Sequence, residues 1–235
     1  MSNTLAGRRV LVTGAAGGLG PTACAAAAAA GASLHLVGRE REPLEAVAAA
    51  LGSSVGGVHD TDLLDDRRVH ELASTIGEVD VLWHLVGGWR GGPPVHEQAL
   101  DDWALLHDSL VRTTVHVVRA FAPALKAAPA GRFAIVSSPQ AVAPSSTNAA
   151  YAAGKAASEA VTLALADEFA GSHATANVVV VPAILTPQMR AADPSKQRPP
   201  FVTAEQIAEA LVYISSEAAS TMNGQRLRLY SGSPS

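Results

Sequence analysis

Three side chains in the second half of the chain could do acid–base chemistry together: Ser138, Tyr151 and Lys155. Tyr151 and Lys155 stand four residues apart in Tyr151-Ala152-Ala153-Gly154-Lys155, so on a helix they share one face, and Ser138 precedes the tyrosine by thirteen residues. A free phenol, with a pKa of about 10, is a poor proton shuttle at neutral pH, but a neighbouring ammonium stabilises its phenolate. A hydroxyl placed like that of Ser138 can orient and polarise a carbonyl oxygen. Near the start, Thr13-Gly14-Ala15-Ala16-Gly17-Gly18-Leu19-Gly20 follows the apolar run Val10-Leu11-Val12 and opens an alanine-rich stretch. In that context glycines let the backbone approach a pyrophosphate, with the helix N-terminus facing the anion.

These groups need a scaffold, and the hydropathy pattern supplies one. Continuous apolar runs over 9–13, 33–37, 56–59, 80–86, 132–136, 176–181 and 225–230 read as strands buried on both faces. Between them, helices are predicted over 18–30, 42–51, 67–76, 101–127, 150–169 and 204–215, the last opened by a capping box of Thr203 and Gln206. The segments 87–94 and 182–201 read as irregular, the second because of Pro182, Pro187, Pro194, Pro199 and Pro200. The expectation is an α/β protein: one Rossmann-type domain over 1–235, with a seven-stranded doubly wound parallel sheet flanked by helices. Thr13, Gly38-Arg39, Asp62, Gly87, Ser138 and Pro182 all fall just after strands, at the sheet edge where such folds bind ligands.

Composition narrows the function classes. The chain has 235 residues, 48% of them hydrophobic and 16% charged, and a net charge of −4, which argues against a nucleic-acid or anionic-membrane surface. The aliphatic runs are too short to span a bilayer, and the N-terminus lacks the basic and apolar segments of a secretion signal, so a cytoplasmic location is expected. The single Cys24 can form no internal disulfide and has no partner ligand, so no metal site is expected.

Together the glycine turn and the Ser…Tyr-x-x-x-Lys set resemble the short-chain dehydrogenase/reductase family. The resemblance implies NADP(H) as cofactor, Tyr151 as general acid/base, Ser138 as carbonyl orienter and Lys155 as electrostatic support that also reaches the nicotinamide ribose. It implies cofactor contacts from Gly14, Ala16, Gly17, Gly18, Leu19, Gly20, Val86, Gly87, Gly88, Pro182, Ile184 and Thr186, besides Tyr151 and Lys155. Asp62 matches the acid that bonds the adenine amino group, with Leu63 beside the ring; Asp62 also reads as a helix N-cap. After the second strand no carboxylate stands at Gly38, and Arg39 offers a planar cation suited to a 2′-phosphate. Trp89, Arg90, Gln140 and Met189 are candidates for the substrate mouth.

Two departures from the family pattern stand out. His84-Leu85-Val86-Gly87 replaces Asn-Asn-Ala-Gly, with His84 as an internal hydrogen-bonding group, and Leu110 falls where the family has an asparagine that holds a relay water. The segments 86–92 and 186–190 are similar to those of quinonoid dihydropteridine reductases, which have the tyrosine and lysine, lack the serine and prefer NADH. The leading expectation is an NADPH-dependent reductase of a small or mid-sized ketone. The alternatives are a quinonoid-pterin or imine (C=N) reductase and, in another class, a weakly active or non-catalytic NADP-binding sensor or interaction module. Family members associate through the two long helices, so a homodimer or homotetramer is implied.

Overall fold

The computed structural model describes residues 4–193 and 201–230. Its strands and helices are β1 (Arg9–Thr13), α1 (Gly20–Ala29), β2 (Ser33–Gly38), α2 (Arg41–Leu51), β3 (Val55–Asp60), α3 (Asp66–Ile76), β4 (Val81–His84), α4 (Leu100–Leu106), α5 (Thr113–Ala127), β5 (Arg132–Ser137), α6 (Ala149–Glu168), β6 (Thr175–Val180), β7 (Ala183–Leu185), α7 (Pro187–Ala192), β8 (Phe201–Thr203), α8 (Ala204–Ile214) and β9 (Arg226–Arg228). Seven strands form one parallel sheet in the order β3-β2-β1-β4-β5-β6-β9, and β7 pairs with β8 in a separate parallel ribbon. One face of the main sheet buries Leu44 of α2, Ala23 and Ala27 of α1 and Ile207 and Leu211 of α8. The other buries Val69 and Leu72 of α3, Val117 and Phe121 of α5 and Leu165 of α6. Gly20, Ala23, Cys24 and Ala27 are the buried positions of α1, and their small side chains let the helix lie close to the sheet. Cys24 lies inside this packing, where burial pushes its thiol up to about 12.

The predicted strands are the seven of the main sheet, and the predicted capping box is present, with Thr203 and Gln206 each accepting the other's backbone N–H. Other boundaries move. Helix α1 starts at Gly20, with Pro21 in its first turn, because the residues before it are spent in the glycine turn. Strand β4 stops at His84, and β9 is confined to three residues. The segment 182–201 is not wholly irregular: Ala183–Leu185 pair with Phe201–Thr203, and Thr186 caps α7 by accepting from the Met189 amide. Pro187 suits that helix because the first turn has no use for its missing N–H. Pro194, Pro199 and Pro200 lie outside the described residues.

The largest correction concerns the long helix predicted over 101–127. It is three pieces: α4, a π-helical stretch His107–Arg112, and α5. A π turn widens the helix and frees carbonyls from their usual amide partners. Here hydroxyls take the opening: Thr113 Oγ1 donates to Ser109 O at 2.7 Å and Thr114 Oγ1 to Leu110 O at 2.6 Å, while Ser158 Oγ of α6 shares its one proton between Gly154 O at 2.7 Å and Leu110 O at 3.0 Å. No local residue preference announces such a turn, because threonines that bond back one turn are ordinary in helices and Ser158 comes from a neighbouring helix.

That widened turn drives Leu110 inward, where it is 2% exposed beside Leu106, Ala150 and Tyr151. A Cβ on Gly154 would lie 2.8 Å from Leu110 Cδ1, and one on Gly87 would lie 3.0 Å from Leu110 Cδ2. Two glycines therefore make room for one leucine. On the opposite side His84 bridges β4 to its neighbours, with Nδ1 2.7 Å from Thr13 Oγ1 and Nε2 3.2 Å from Thr113 Oγ1. Since Thr113 donates to Ser109 O, its oxygen accepts from Nε2–H, and Nδ1 accepts from the Thr13 hydroxyl. The imidazole is thus neutral, and burial, together with the nearby Lys155 charge, holds it down at about 3.

Two measurements follow. Gly154→Ala should destabilise by about 1–3 kcal/mol through overpacking, whereas the same change in a Leu110→Ala background should be neutral or stabilising, since alanine outranks glycine within helices; urea denaturation of the four proteins gives the sign. For acid, an imidazole lowered from 6.5 to about 3 stays neutral in the folded chain while the unfolded chain takes up a proton, so stability is lost as pH falls below 6.5. The stacked pair His35–His59, 3.0 Å between Nδ1 and Nε2 and lowered chiefly by burial, acts in the same direction. The slope of the melting temperature against pH should flatten in His84→Asn.

Candidate active site

Strand β1 delivers the chain into the glycine turn. Gly14 adopts φ +74°, and a Cβ there would lie 3.1 Å from the Leu85 carbonyl, so a side chain would both strain the turn and part it from the end of β4. The amides of Gly14 and Ala15 donate to Val37 O, Gly17 to Gly14 O and Gly20 to Gly17 O. Among the described residues nothing accepts from the amides of Ala16, Gly18 and Leu19. Those three donors stand just before α1, an arrangement suited to phosphate oxygens. A Cβ on Gly18 would meet Thr186 Cγ2 at 3.2 Å, so Thr186 sits over the turn. Its hydroxyl oxygen already accepts the Met189 amide, which leaves its proton to donate.

At the end of β2 the Arg39 side chain is exposed and, among the described residues, makes no hydrogen bond or ion pair. Arg41, two residues on, is committed to Glu45 and Asp60, both at 2.8 Å. The loop after β3 assigns its acids separately: Asp62 Oδ1 accepts the Leu64 amide at 3.0 Å, and Asp65 caps α3 by accepting the Arg68 amide. The N-cap reading of Asp62 therefore falls to Asp65, because the helix starts later than Asp62 can reach. Leu63 is buried, and its carbonyl faces His116 Nδ1 at 2.8 Å.

Past β4, Gly87 lies beside both Leu110 and Lys155, since a Cβ there would be 3.7 Å from Lys155 Nζ; Val86 before it packs on the core under α3 and α5, and a Cβ on Gly88 after it would meet open space. Lys155 is 9% exposed and donates to Val136 O of β5 at 2.7 Å. Its ammonium is 5.8 Å from the centre of the Tyr151 ring. Burial lowers the lysine to about 8, with Glu159, one turn along α6, working the other way. Glu159 is itself buried and pairs with Arg226 of β9, Oε2 to Nε at 2.7 Å. Burial raises the Tyr151 phenol to about 12, against a side-chain hydrogen bond with Ser138 that lowers it. In the chain by itself removal from water is the larger influence, and both groups are pushed towards neutrality.

Ser138 is 1% exposed; its hydroxyl donates to Gln140 Oε1 at 3.3 Å and accepts from the Gln140 amide at 3.4 Å. Ser138, Tyr151 and Gln140 therefore share one corner. Trp89 and Arg90 lie on the loop after β4, which is stapled to the approach to Tyr151: Gly92 N donates to Thr147 O, and Gln98 bridges Ser146 O and the Ala150 amide. Pro182 and Ile184 flank or lie in β7, and Met189 lies in α7, all on the segment that follows β6. The Val136 carbonyl and the hydroxyls of Thr113 and Ser158 escaped the sequence analysis, since a backbone acceptor carries no residue signature and the two hydroxyls act through helix carbonyls.

Free amides at the glycine turn, glycine contacts beside Lys155 and a solvent-facing arginine fit a dinucleotide laid across the carboxyl ends of β1, β2 and β4. Comparison with known proteins places this geometry. Residues 8–197 match the short chain dehydrogenase family. A short chain dehydrogenase of Pseudocercospora fijiensis is 34% identical over 176 residues, 72% of this chain and 57% of the relative, so the chain spans little more than half of that protein. The D-threitol dehydrogenase of Mycolicibacterium smegmatis is 29% identical over 97% of this chain and 93% of its own length. Among solved structures, a short chain dehydrogenase from Shigella flexneri complexed with NADP superposes with a TM-score of 0.87 and 26% identity, covering 97% of this chain and 99% of that one. With its glycine turn, its parallel sheet and its Ser138–Tyr151–Lys155 corner, the chain belongs to the short-chain dehydrogenase family.

Proposed function

We propose that this oxidoreductase uses NADPH to reduce a ketone to an alcohol, and the meeting of Ser138, Tyr151 and Lys155 in one buried corner carries that reading. The cofactor supplies the hydride. Ser138 and Tyr151 hold the carbonyl oxygen; the phenol gives it a proton as hydride reaches the carbon, so the C=O bond becomes CH–OH. With a phenol held near 12, Tyr151 keeps its proton at neutral pH and acts as the acid. Lys155, fixed by the Val136 carbonyl, sets a positive charge beside the phenolate left after transfer. The amides of Ala16, Gly18 and Leu19 and the Thr186 hydroxyl would hold the pyrophosphate, and Asp62 and Leu63 the adenine. Val86, Gly87, Gly88, Pro182 and Ile184 would border the nicotinamide riboside, with Trp89, Arg90, Gln140 and Met189 around the substrate.

NADP is favoured over NAD because Arg39 has no partner among the described residues and no carboxylate stands at Gly38; the NADP in the Shigella relative points the same way. Exposed Leu100, Trp103 and Leu105 around α4 and Leu163 on α6 support association of copies through those helices. No described helix is long and apolar enough to cross a membrane, and the reading carries a cytoplasmic location with it.

NADPH should bind more tightly than NADH, and Arg39→Ala should erase most of that difference, about 1.5–3 kcal/mol for a charge-assisted contact. Equal affinities in the unmodified protein, read by fluorescence titration, would remove the NADP assignment. Tyr151→Phe should lower turnover of an accepted ketone by about 10²–10⁴-fold while NADPH affinity stays within twofold or so. Full activity in that variant would show that Tyr151 is not the acid, and NADPH binding without turnover of any ketone or imine would favour a binding module.

A further inference from the structure

The three loops beyond β4, β5 and β6 surround the proposed reaction corner, and their surface is unusual in two respects. Among the described residues, Trp89, Val95, Val142 and Met189 on these loops are large apolar side chains left 38–56% exposed. Among the described residues the same loops carry two arginines, and both are paired. Arg90 donates to its own Trp89 carbonyl at 2.8 Å and lies 3.7 Å from Asp102 of α4. Arg190 of α7 meets Glu205 of α8 at 2.6 Å. Exposed ion pairs bind weakly, so an arginine could swing away, but its carboxylate partner would stay on its helix. Glu205 is anchored in the first turn of α8, whose cap is Thr203, and Asp102 in the first turn of α4. An incoming carboxylate or phosphate would therefore meet an acid beside each of these two arginines, while Gln140 is neutral and already engaged by Ser138.

We infer that the substrate is a neutral, largely apolar ketone, taken by Trp89, Val142 and Met189, and that the Arg90–Asp102 and Arg190–Glu205 pairs act against anionic ketones such as keto acids and acyl phosphates. This rests on the reductase reading and adds the substrate class to it. Apolar contact supplies the affinity, and the two carboxylates supply discrimination by like-charge juxtaposition with the wrong substrate.

The test uses the full chain with NADPH at low ionic strength and two ketones of similar length, 2-hexanone and levulinate. The expected kcat/KM for 2-hexanone exceeds that for levulinate by about tenfold or more, a gap of the size one uncompensated charge produces. Glu205→Gln and Asp102→Asn, made separately and together, should narrow the gap chiefly by improving levulinate. Alanine at Lys196 and Arg198, both outside the described residues, should leave the ratio unchanged. Wild-type preference for levulinate, a gap indifferent to both carboxylate variants, or a ratio set by Lys196 and Arg198 would each overturn the inference. Should neither ketone be turned over, the reductase reading fails on its own, and binding decides the substrate class separately. In that case quenching of tryptophan fluorescence by 2-hexanone but not by levulinate, lost in Trp89→Phe, would sustain it; the reverse order would overturn it.

Discussion

An ammonium group taken out of water must find acceptors, and Lys155 finds one in the carbonyl of Val136, 2.7 Å away on the neighbouring strand. Much of the central structure serves that contact. The lysine reaches β5 only if α6 lies close to the sheet, and Gly154, next to the lysine, removes the side chain that would hold Leu110 and the preceding helix at a distance. Closeness also strips the lysine and Tyr151 of solvent, which moves their pKa values to about 8 and about 12, towards neutrality from opposite sides. Glu159 restores part of the positive charge from one helical turn away, and Arg226 on the edge strand balances the glutamate in turn. A chain of compensations thus runs from the sheet edge to the reaction corner.

A second polar chain serves the cofactor side. Thr13, His84 and Thr113 pass hydrogen bonds in one direction from the end of β1 to the Ser109 carbonyl. Every member is buried or nearly so, so each donor has an acceptor that cannot be replaced by water. The strand that feeds the glycine turn and the helical stretch that carries Leu110 are therefore tied to the same imidazole. A neutral histidine can do this because it both donates and accepts, as an asparagine side chain also can.

The sheet was legible because parallel strands buried on both faces are continuous apolar runs, and all seven predicted runs lie in it. The glycine turn and Tyr151-x-x-x-Lys155 were legible because backbone approach and helical periodicity each demand particular residue types at fixed spacing. The ribbon of β7 and β8 was hidden by prolines, which suit its flanks and the first turn of α7 as well as they suit a loop. Leu110 was legible as an odd residue but not as a packed one: its place depends on Gly87 and Gly154, distant in sequence on either side. The split of the long helix was hidden because hydroxyls of Thr113, Thr114 and Ser158 look like ordinary helix residues until their carbonyl partners are known. Charge partners were equally opaque; Arg41 and Arg39 differ in role only because Asp60 and Glu45 reach one and not the other.

The π-helical stretch His107–Arg112 has a consequence for how this chain tolerates change in length. Relative to an α-helix, such a turn accommodates an additional residue within the same rise. Removing one residue there would let the segment relax into an unbroken α-helix, satisfying the backbone and costing little locally. Because the wide turn already holds its extra residue within one turn, the loss would leave the outer faces of α4 and α5 in nearly the same phase. The hydroxyls of Thr113, Thr114 and Ser158 would instead have to share with backbone amides the carbonyls that the wide turn now leaves open to them. A family of sequences could thus gain or lose a single codon here without breaking the helix or turning its outer face.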